Sequence, residues 1–457
     1  MTPRFCYASR RAVILVFALL ALAAVSGDAR GEDGGAHGLW PIKNNDGFGY
    51  IDRNGKVVIR PQFEEAAPFH ENLAAVRIKG KWGFIETRGR TVVPPQFEAV
   101  EPFVEGVAKV KNAGKWGFVD SKGRLITPPQ FDWAMSVREG LALVEQNGKH
   151  GFVGRDGQLV VAPRFAEAGE FWEGLARVQV GDLWGFIDKT GKMVIEPQYV
   201  YAGNFHEGLA QVDKDGKHGY IDRAGQLVIP LLFDGHRLEM FSEGLAMIVK
   251  GDKVGYIDRT GHIVIPSRYW LAWHFQEGVA RVQMDDAKWG LINRTGEVVS
   301  EGRFDNISDF HEGLARVRIF RNYGFIAPSG ALAIPVEFSA ALPFSEGLAA
   351  VHVGGSHQQL AIEDPRRRFD PMSPLFLYSR LPFSGEKVPR MSGGKGWGYI
   401  DRRGRIVISP GFDFAGSFVG GLAEASQAGR HGYIDKSGKF LWESREAAEG
   451  GQKPGGN

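Results

Sequence analysis

From residue 39 to residue 443 the chain alternates short apolar runs with glycine-marked turns, and the alternation returns every 34 residues. Equivalent glycines stand at Gly49, Gly83, Gly117, Gly151, Gly185 and Gly219, then at Gly255, Gly290, Gly324, Gly398 and Gly432. The wide gap before Gly398 holds one eroded copy, with Leu360-Ala361-Ile362-Glu363 in the same place, so the repeat predicts about twelve units. In one unit, Leu175 to Val180 alternates apolar and polar positions and predicts a strand, and Trp184 to Asp188 predicts a second. Asp188-Lys-Thr-Gly191 carries the chemistry of a short hairpin turn, and Met193 to Ile195 predicts a third strand. Pro197 stops it, because proline has no N–H to give a ladder. A loop anchored by Phe171 or Phe205 leads to the next unit.

Both faces of this three-stranded meander carry apolar side chains: Trp184 and Phe186 point one way, Ile187 the other. So small a sheet cannot stand alone, and two apolar faces require a neighbour on each side. Two architectures meet that demand, an open β-solenoid or superhelix and one or two β-propellers. Leu39-Trp40-Pro41-Ile42-Lys43 fills the first-strand position of the first unit, and Phe440-Leu441-Trp442 the third-strand position of the last. No strand is lent across the ends, so the expectation is an all-β open array of three-stranded units. Residues 39–351 form units one to nine, 352–392 a degenerate repeat or insertion, and 393–443 the last two units.

The Trp-Gly-Phe-Ile-Asp core at 184–188, the Gly-Lys turn after it, the Pro-Pro-Gln-Phe steps at 94–97 and 128–131, and the Phe-x-Glu-Gly-Leu-Ala segment resemble the WG-repeat (KWG-repeat) family of bacterial proteins. The resemblance covers about residues 39–443. It implies a β-rich repeat architecture, no established enzymatic activity and no catalytic residue to carry over.

Composition sharpens this in three respects. Glycine, at 62 of 457 residues, is about twice as common as usual, as many tight turns require. Residues 1–11 carry Arg4, Arg10 and Arg11 without an acid, and an apolar run from Ala12 to Val25 precedes small residues, the layout of a secretory signal peptide cleaved after Ser26. Residues 27–38 then read as a short linker, and 444–457 as a disordered tail. Without the leader the chain has 52 basic and 53 acidic side chains and no cysteine, since Cys6 departs with it. That balance excludes a general nucleic-acid binder, and no further segment is apolar enough to span a bilayer.

Candidate chemistry is sparse. The turn aspartates Asp52, Asp120, Asp188, Asp222, Asp258, Asp401 and Asp435 share a slot with Asn293 and Gly154, which fits bonding to their own turn rather than a cation ladder. The glutamates of the Phe-x-Glu-Gly step, from Glu71 to Glu346, meet the same surroundings in every unit, so nothing separates two of them into acid and base. They are expected to accept backbone N–H bonds within their loops. His150, His218 and His431 replace the repeat tryptophan at least two units apart, too far to share a metal. No cofactor or metal is expected, and no enzyme activity.

The variable position in Phe-x-Glu-Gly ranges over His70, Val104, Arg138, Trp172, His206, Ser242, Gln276, His311, Ser345 and Val419 inside a fixed frame. Free variation predicts solvent exposure along one edge. The candidate binding surface is therefore His70, Arg138, Trp172, His206, Gln276 and His311, extended by the off-motif aromatics Trp133, Trp270 and Trp273. The chain reads as a secreted or periplasmic non-catalytic scaffold that binds an envelope or extracellular protein. Glycan or peptidoglycan binding through exposed tryptophans is the alternative.

Overall fold

A computed structural model describes residues 38–234, 236–284, 287–354 and 396–445. The regular structure among them is β throughout: 42 strands in eleven antiparallel sheets, each hydrogen-bonded in simple chain order. We number these sheets as blades 1 to 11, at 39–63, 65–97, 99–131, 133–165, 168–199, 201–234, 236–269, 271–304, 306–338, 340–412 and 414–445. The leader, the linker except Gly38, and the tail beyond residue 445 lie outside the described residues.

Most blades have four strands where the sequence predicts three. The extra one is part of the connecting loop and pairs with the second strand of the following unit; it runs to six or seven residues in blades 2, 7 and 9 but elsewhere is a two-residue piece such as Ala99–Val100 or Tyr201–Ala202. Two residues are too few to show a period, so this strand was invisible in the pattern. The second and third strands are the Leu-Ala and Trp-Gly segments. The fourth, such as Met193–Tyr199, begins at the Asp–Gly turn and bulges opposite the repeat glycine. A Cβ on Gly185 would lie 2.4 Å from the Ile195 carbonyl oxygen, and this contact is why glycine recurs there.

The core is not inside any blade but between successive ones. Leu175, Phe186, Ile195 and Tyr199 of blade 5 pack on Ala202, Phe205, Ala210, Val212 and Ile221 of blade 6. Within this interface Phe186 and Phe205 meet with ring centroids 4.9 Å apart. The same pairing joins Tyr50 to Phe69, Phe84 to Phe103, Phe152 to Phe171 and Tyr399 to Phe418. Each pair adds about 0.5–1.5 kcal/mol beyond the area it buries.

The open array is not what forms. Leu422 and Tyr433 of blade 11, with Leu441 and Trp442 beside them, pack on Trp40, Ile42 and Ile51 of blade 1. These residues occupy the same positions as the two halves of the blade 5–6 contact, so the last sheet meets the first as every other sheet meets its successor. The Trp40 indole N–H donates to the Val419 carbonyl at 3.1 Å, and the Tyr433 hydroxyl to the Pro41 carbonyl at 2.9 Å. Turn glycine Gly55 abuts the Leu441 backbone, as Gly123 abuts Val92. The molecule is an eleven-bladed β-propeller, a closed ring. The expectation failed because it equated closure with an exchanged strand; here both end sheets are built from local sequence and side chains make the seam.

Trp40 explains how. Among the described residues, blade 1 has three strands, with no inner strand and no Phe205-type anchor. Ten other blades place alanine at the position of Trp40, among them Ala74, Ala176, Ala210 and Ala423. The indole, 4% exposed, puts the missing aromatic bulk into the seam from the second strand. The eroded copy expected over 352–392 lies, from residue 355 on, outside the described residues; in blade 10, Leu348–Val353 pairs directly with Gly396–Asp401.

Trp40→Ala should remove about 3–5 kcal/mol from the seam while leaving the other interfaces intact. Hydrogen exchange is expected to rise in blades 1 and 11 and to stay at wild-type levels in blades 4 to 8; unchanged protection in blades 1 and 11 would show that closure does not depend on this side chain.

Candidate functional site

The loop between first and second strands carries the repeated glutamate, and its backbone explains the residue. Glu71, Glu105, Glu139, Glu173, Glu207, Glu243, Glu277, Glu312 and Glu346 all have φ near +50°, a left-handed conformation that costs a non-glycine residue about 1–2 kcal/mol. The compensation comes from the next blade rather than from the residue's own loop. Glu139 accepts the Gly174 N–H at 2.9 Å, Glu173 the Gly208 N–H at 2.8 Å, and Glu346 the Gly421 N–H at 3.0 Å. Turn cations join in: Lys189 lies 3.1 Å from Glu139 and Lys436 3.2 Å from Glu346. Burial alone would raise the Glu139 carboxyl, but Lys189 and the backbone N–H groups hold it below the ordinary range. These carboxylates are structural rungs between blades.

The turn aspartates serve their own hairpins. Asp52 Oδ1 accepts the N–H groups of Asn54 and Lys56, each at 2.9 Å, and Asn293 Oδ1 does the same for Thr295 and Glu297. An amide oxygen makes these bonds as well as a carboxylate, which is why Asn293 fits the slot.

The variable position has no uniform setting: Val104 and His311 are exposed, while others bond to the next blade. Ser242 donates to the Phe275 carbonyl at 3.0 Å and Ser345 to the Phe418 carbonyl at 2.6 Å. Gln276 grips Phe310 twice, its amide donating to the carbonyl and accepting the N–H, both at 3.1 Å. Each of these bonds reaches the next blade. Arg138, Trp172 and His206, from three successive blades, stack on one another: the guanidinium lies 3.4 Å from the Trp172 ring centroid, and the Trp172 and His206 rings are 4.7 Å apart. His70 is half-buried and His311 exposed; neither belongs to this stack. Trp133 sits edge-on to His150, and the Arg281 guanidinium lies 5.1 Å over the Trp273 ring. Trp270 is 46% exposed, with the Lys253 ammonium 3.4 Å from its ring centroid.

The stack marks the axial edge of the ring. Charges on blades two apart act on each other there: Lys109 of blade 3 on Glu170 of blade 5, Arg138 of blade 4 on His206 of blade 6, and His206 on His274 of blade 8. Sheets in a closed ring converge only toward its axis, so the first strands and their loops face inward around the central channel that propellers possess. The residue two before the variable one shares its side of the loop, on the period of an extended chain. It contributes Ser136, Glu170, Asn204, His274 and Asp309. A further row comes from the third residue of the second strand, whose cations reach the inner strand of the next blade: Lys109 to the Ala134 carbonyl at 2.8 Å, Arg177 to Ala202 at 2.7 Å, Arg316 to Ala341 at 2.6 Å.

Together these rows form a polar band on blades 3 to 9 that no repeat position predicts. Lys109 pairs with Glu101 at 2.8 Å, both buried, and Ser136 donates to Glu101 at 3.1 Å. Arg281 pairs with Asp309. Burial pulls Lys109 below its ordinary value against the attraction of Glu101, and pushes Glu170 up against Arg138 and Lys109. His206 is held down by burial, with Glu173 opposing, and His274 falls to about 4 through burial, His206 and Arg281. Burial thus favours the neutral form of both imidazoles. Only the period-two relation to the variable position pointed to Glu170 and Asp309, and nothing in the pattern pointed to Lys109.

Blade 11 departs from this plan. Glu424 stands where Lys109 and Arg177 stand, and the next blade has no inner strand to receive a cation. Burial raises its carboxyl to about 8. A proton bound more tightly when folded supports stability fully below the ordinary value of 4.5, and that support is lost as pH rises through about 8. Glu424→Gln should therefore raise the melting temperature by several degrees at pH 8–9, with the gain vanishing near pH 4; a pH-independent difference in thermal unfolding would contradict this.

Among known proteins, a family model described as WG containing repeat matches residues 48–82, 82–116, 116–149, 151–184, 184–217, 219–253, 255–286, 289–319, 323–355 and 397–430, well over half of the chain. No curated protein matches. Among solved structures, one described as a eukaryotic initiation factor is similar at 11% identity and a TM-score of 0.42, over 80% of this chain and 94% of that one. BamB from Moraxella catarrhalis aligns at 12% identity and 0.31, over 58% and 94%, and the WD40 β-propeller domain of Doa1 at 12% and 0.25, over 49% and 89%. Likeness at this level carries no argument about function; the ring stands on its own contacts.

Proposed function

This chain belongs to the WG-repeat family, and from that premise we propose that it is a non-catalytic scaffold whose partner is another protein of the cell envelope or the extracellular space. It is a repeat β-propeller. The observation that carries the reading is where its residues differ: repeated side chains build the turns and the contacts between blades, while those that differ from blade to blade gather on the axial edge, some of them bonded to the next blade. A surface of single residues on a rigid frame suits recognition. Acid–base chemistry needs reactive groups in a shared, asymmetric setting, and the repeated carboxylates are instead tied to backbone N–H groups. Placement outside the cytoplasm rests on the leader expected over residues 1–26. A purified envelope form beginning at Gly27 is its expected sign.

Glycan binding is the second reading, favoured by exposed Trp270 alone. Trp172 does not serve it, because the Arg138 guanidinium lies over its ring and His206 packs against it. The discriminating experiment is capture from envelope extract on the immobilised protein, with Trp172→Ala and Trp270→Ala beside it. A defined protein retained by wild type and by Trp270→Ala, and at least tenfold depleted on Trp172→Ala, is the expected result. Retention of polysaccharide that depends on Trp270 would replace this reading with the glycan one, and turnover on a hydrolase panel would end both.

A further inference from the structure

We infer that Arg138, held flat on the indole of Trp172 at the axial edge of the ring, is the receptor for a carboxylate carried by an acidic polypeptide. This deepens the scaffold reading and rests on it. Among the polar residues of the variable row, Ser242, Gln276 and Ser345 spend their polar ends on the main chain of the next blade, and His206 is buried against Trp172. Arg138 does neither. Its guanidinium has no hydrogen bond or ion pair among the described residues, yet its carbon lies 3.4 Å from the indole centroid, a separation at which the two groups can meet only face to face. A stacked guanidinium keeps its N–H donors at its edge, in the fork that matches a planar carboxylate.

The surrounding charges make this cation the uncommitted one. Lys109 is held by Glu101 and the Ala134 carbonyl, Arg177 by the Ala202 carbonyl, and Lys189 by Glu139. They also select the ligand. Glu170 lies within electrostatic reach of Arg138, and Glu139 follows it in the chain. A polypeptide can seat one carboxylate on the guanidinium and carry its other charges away from Glu170 and Glu139, whereas a phosphate dianion brings its second charge to both carboxylates. One charge-assisted pair at a half-exposed site binds weakly by itself, so a ligand that depends on it must bring further contacts. A polypeptide along the polar band does so; a free small acid does not.

The test is isothermal titration of the full chain at low ionic strength with hexaglutamate, hexaglutamine, free glutamate and inorganic phosphate. Hexaglutamate is expected to bind at least tenfold more tightly than each of the other three and to weaken as salt rises. Arg138→Gln should lose at least tenfold in affinity. Arg138→Lys, which keeps the charge without the fork, should recover only part of it and remains informative if the glutamine variant fails to fold. Unchanged binding by either variant, equal binding of hexaglutamine, or tighter binding of phosphate would overturn the assignment. If wild type ignores hexaglutamate but still captures an envelope protein through Trp172, the carboxylate inference falls and the scaffold reading survives; if hexaglutamate binds and envelope capture fails, the reverse holds.

Discussion

Every sheet in this protein has two apolar faces and too few strands to be stable alone, and the rest of the structure follows from that. A linear stack would leave two such faces exposed at its ends. Joining those ends gives all eleven sheets two neighbours and leaves no terminal face to water. The interface between blades is thus the unit of stability, and the repeat is in effect an interface repeated. Its parts are the aromatic edge contact, the alanine that lets the second strand approach, the turn glycine pressed against the preceding fourth strand, and the glutamate reaching forward.

The glutamate shows how local strain and long-range order are coupled. A left-handed backbone at a charged, bulky residue is unfavourable on its own. At this loop it brings a carboxylate to the N–H of the following blade, and the rung persists because the ring on both sides fixes it. At the seam the device is absent: Gly420 takes the glutamate's place at the end of blade 11, and that loop relaxes without a rung. Trp40 carries the seam by packing instead. The closing contact resembles the others in what it buries and differs in how it is pinned.

Much of this was legible in the residues. Strand positions, the Asp–Gly hairpin and the stacking of neighbours follow from period-two alternation and from turn chemistry that single residues impose. The short inner strand was not legible, because Ala99–Val100 has no period to detect. Closure was not legible either, because one tryptophan in place of alanine reads as drift until its partners Val419 and Leu422 are known. The variable row was correctly singled out as the place where blades differ. Its exposure is uneven: His311 is exposed and His206 buried, and at Gln276 against Phe310 the variation is an individual fit to the next blade. The band around Glu170 and His274 depends on convergence at the axis, which is a property of the ring and of no single unit.

The interrupted hairpin of blade 10 has an evolutionary corollary. Val353 and Gly396 are paired, so a chain that leaves the hairpin after one strand returns in register to the next, and what such a departure costs is loop closure. The entropy of such closure grows with the logarithm of length, by about 0.6 kcal/mol per doubling. A whole module spliced into this position would tax the propeller by only a few kcal/mol, less than the loss of one well-packed contact between blades. The tip of that hairpin is where this lineage can acquire new parts without redesigning the wheel.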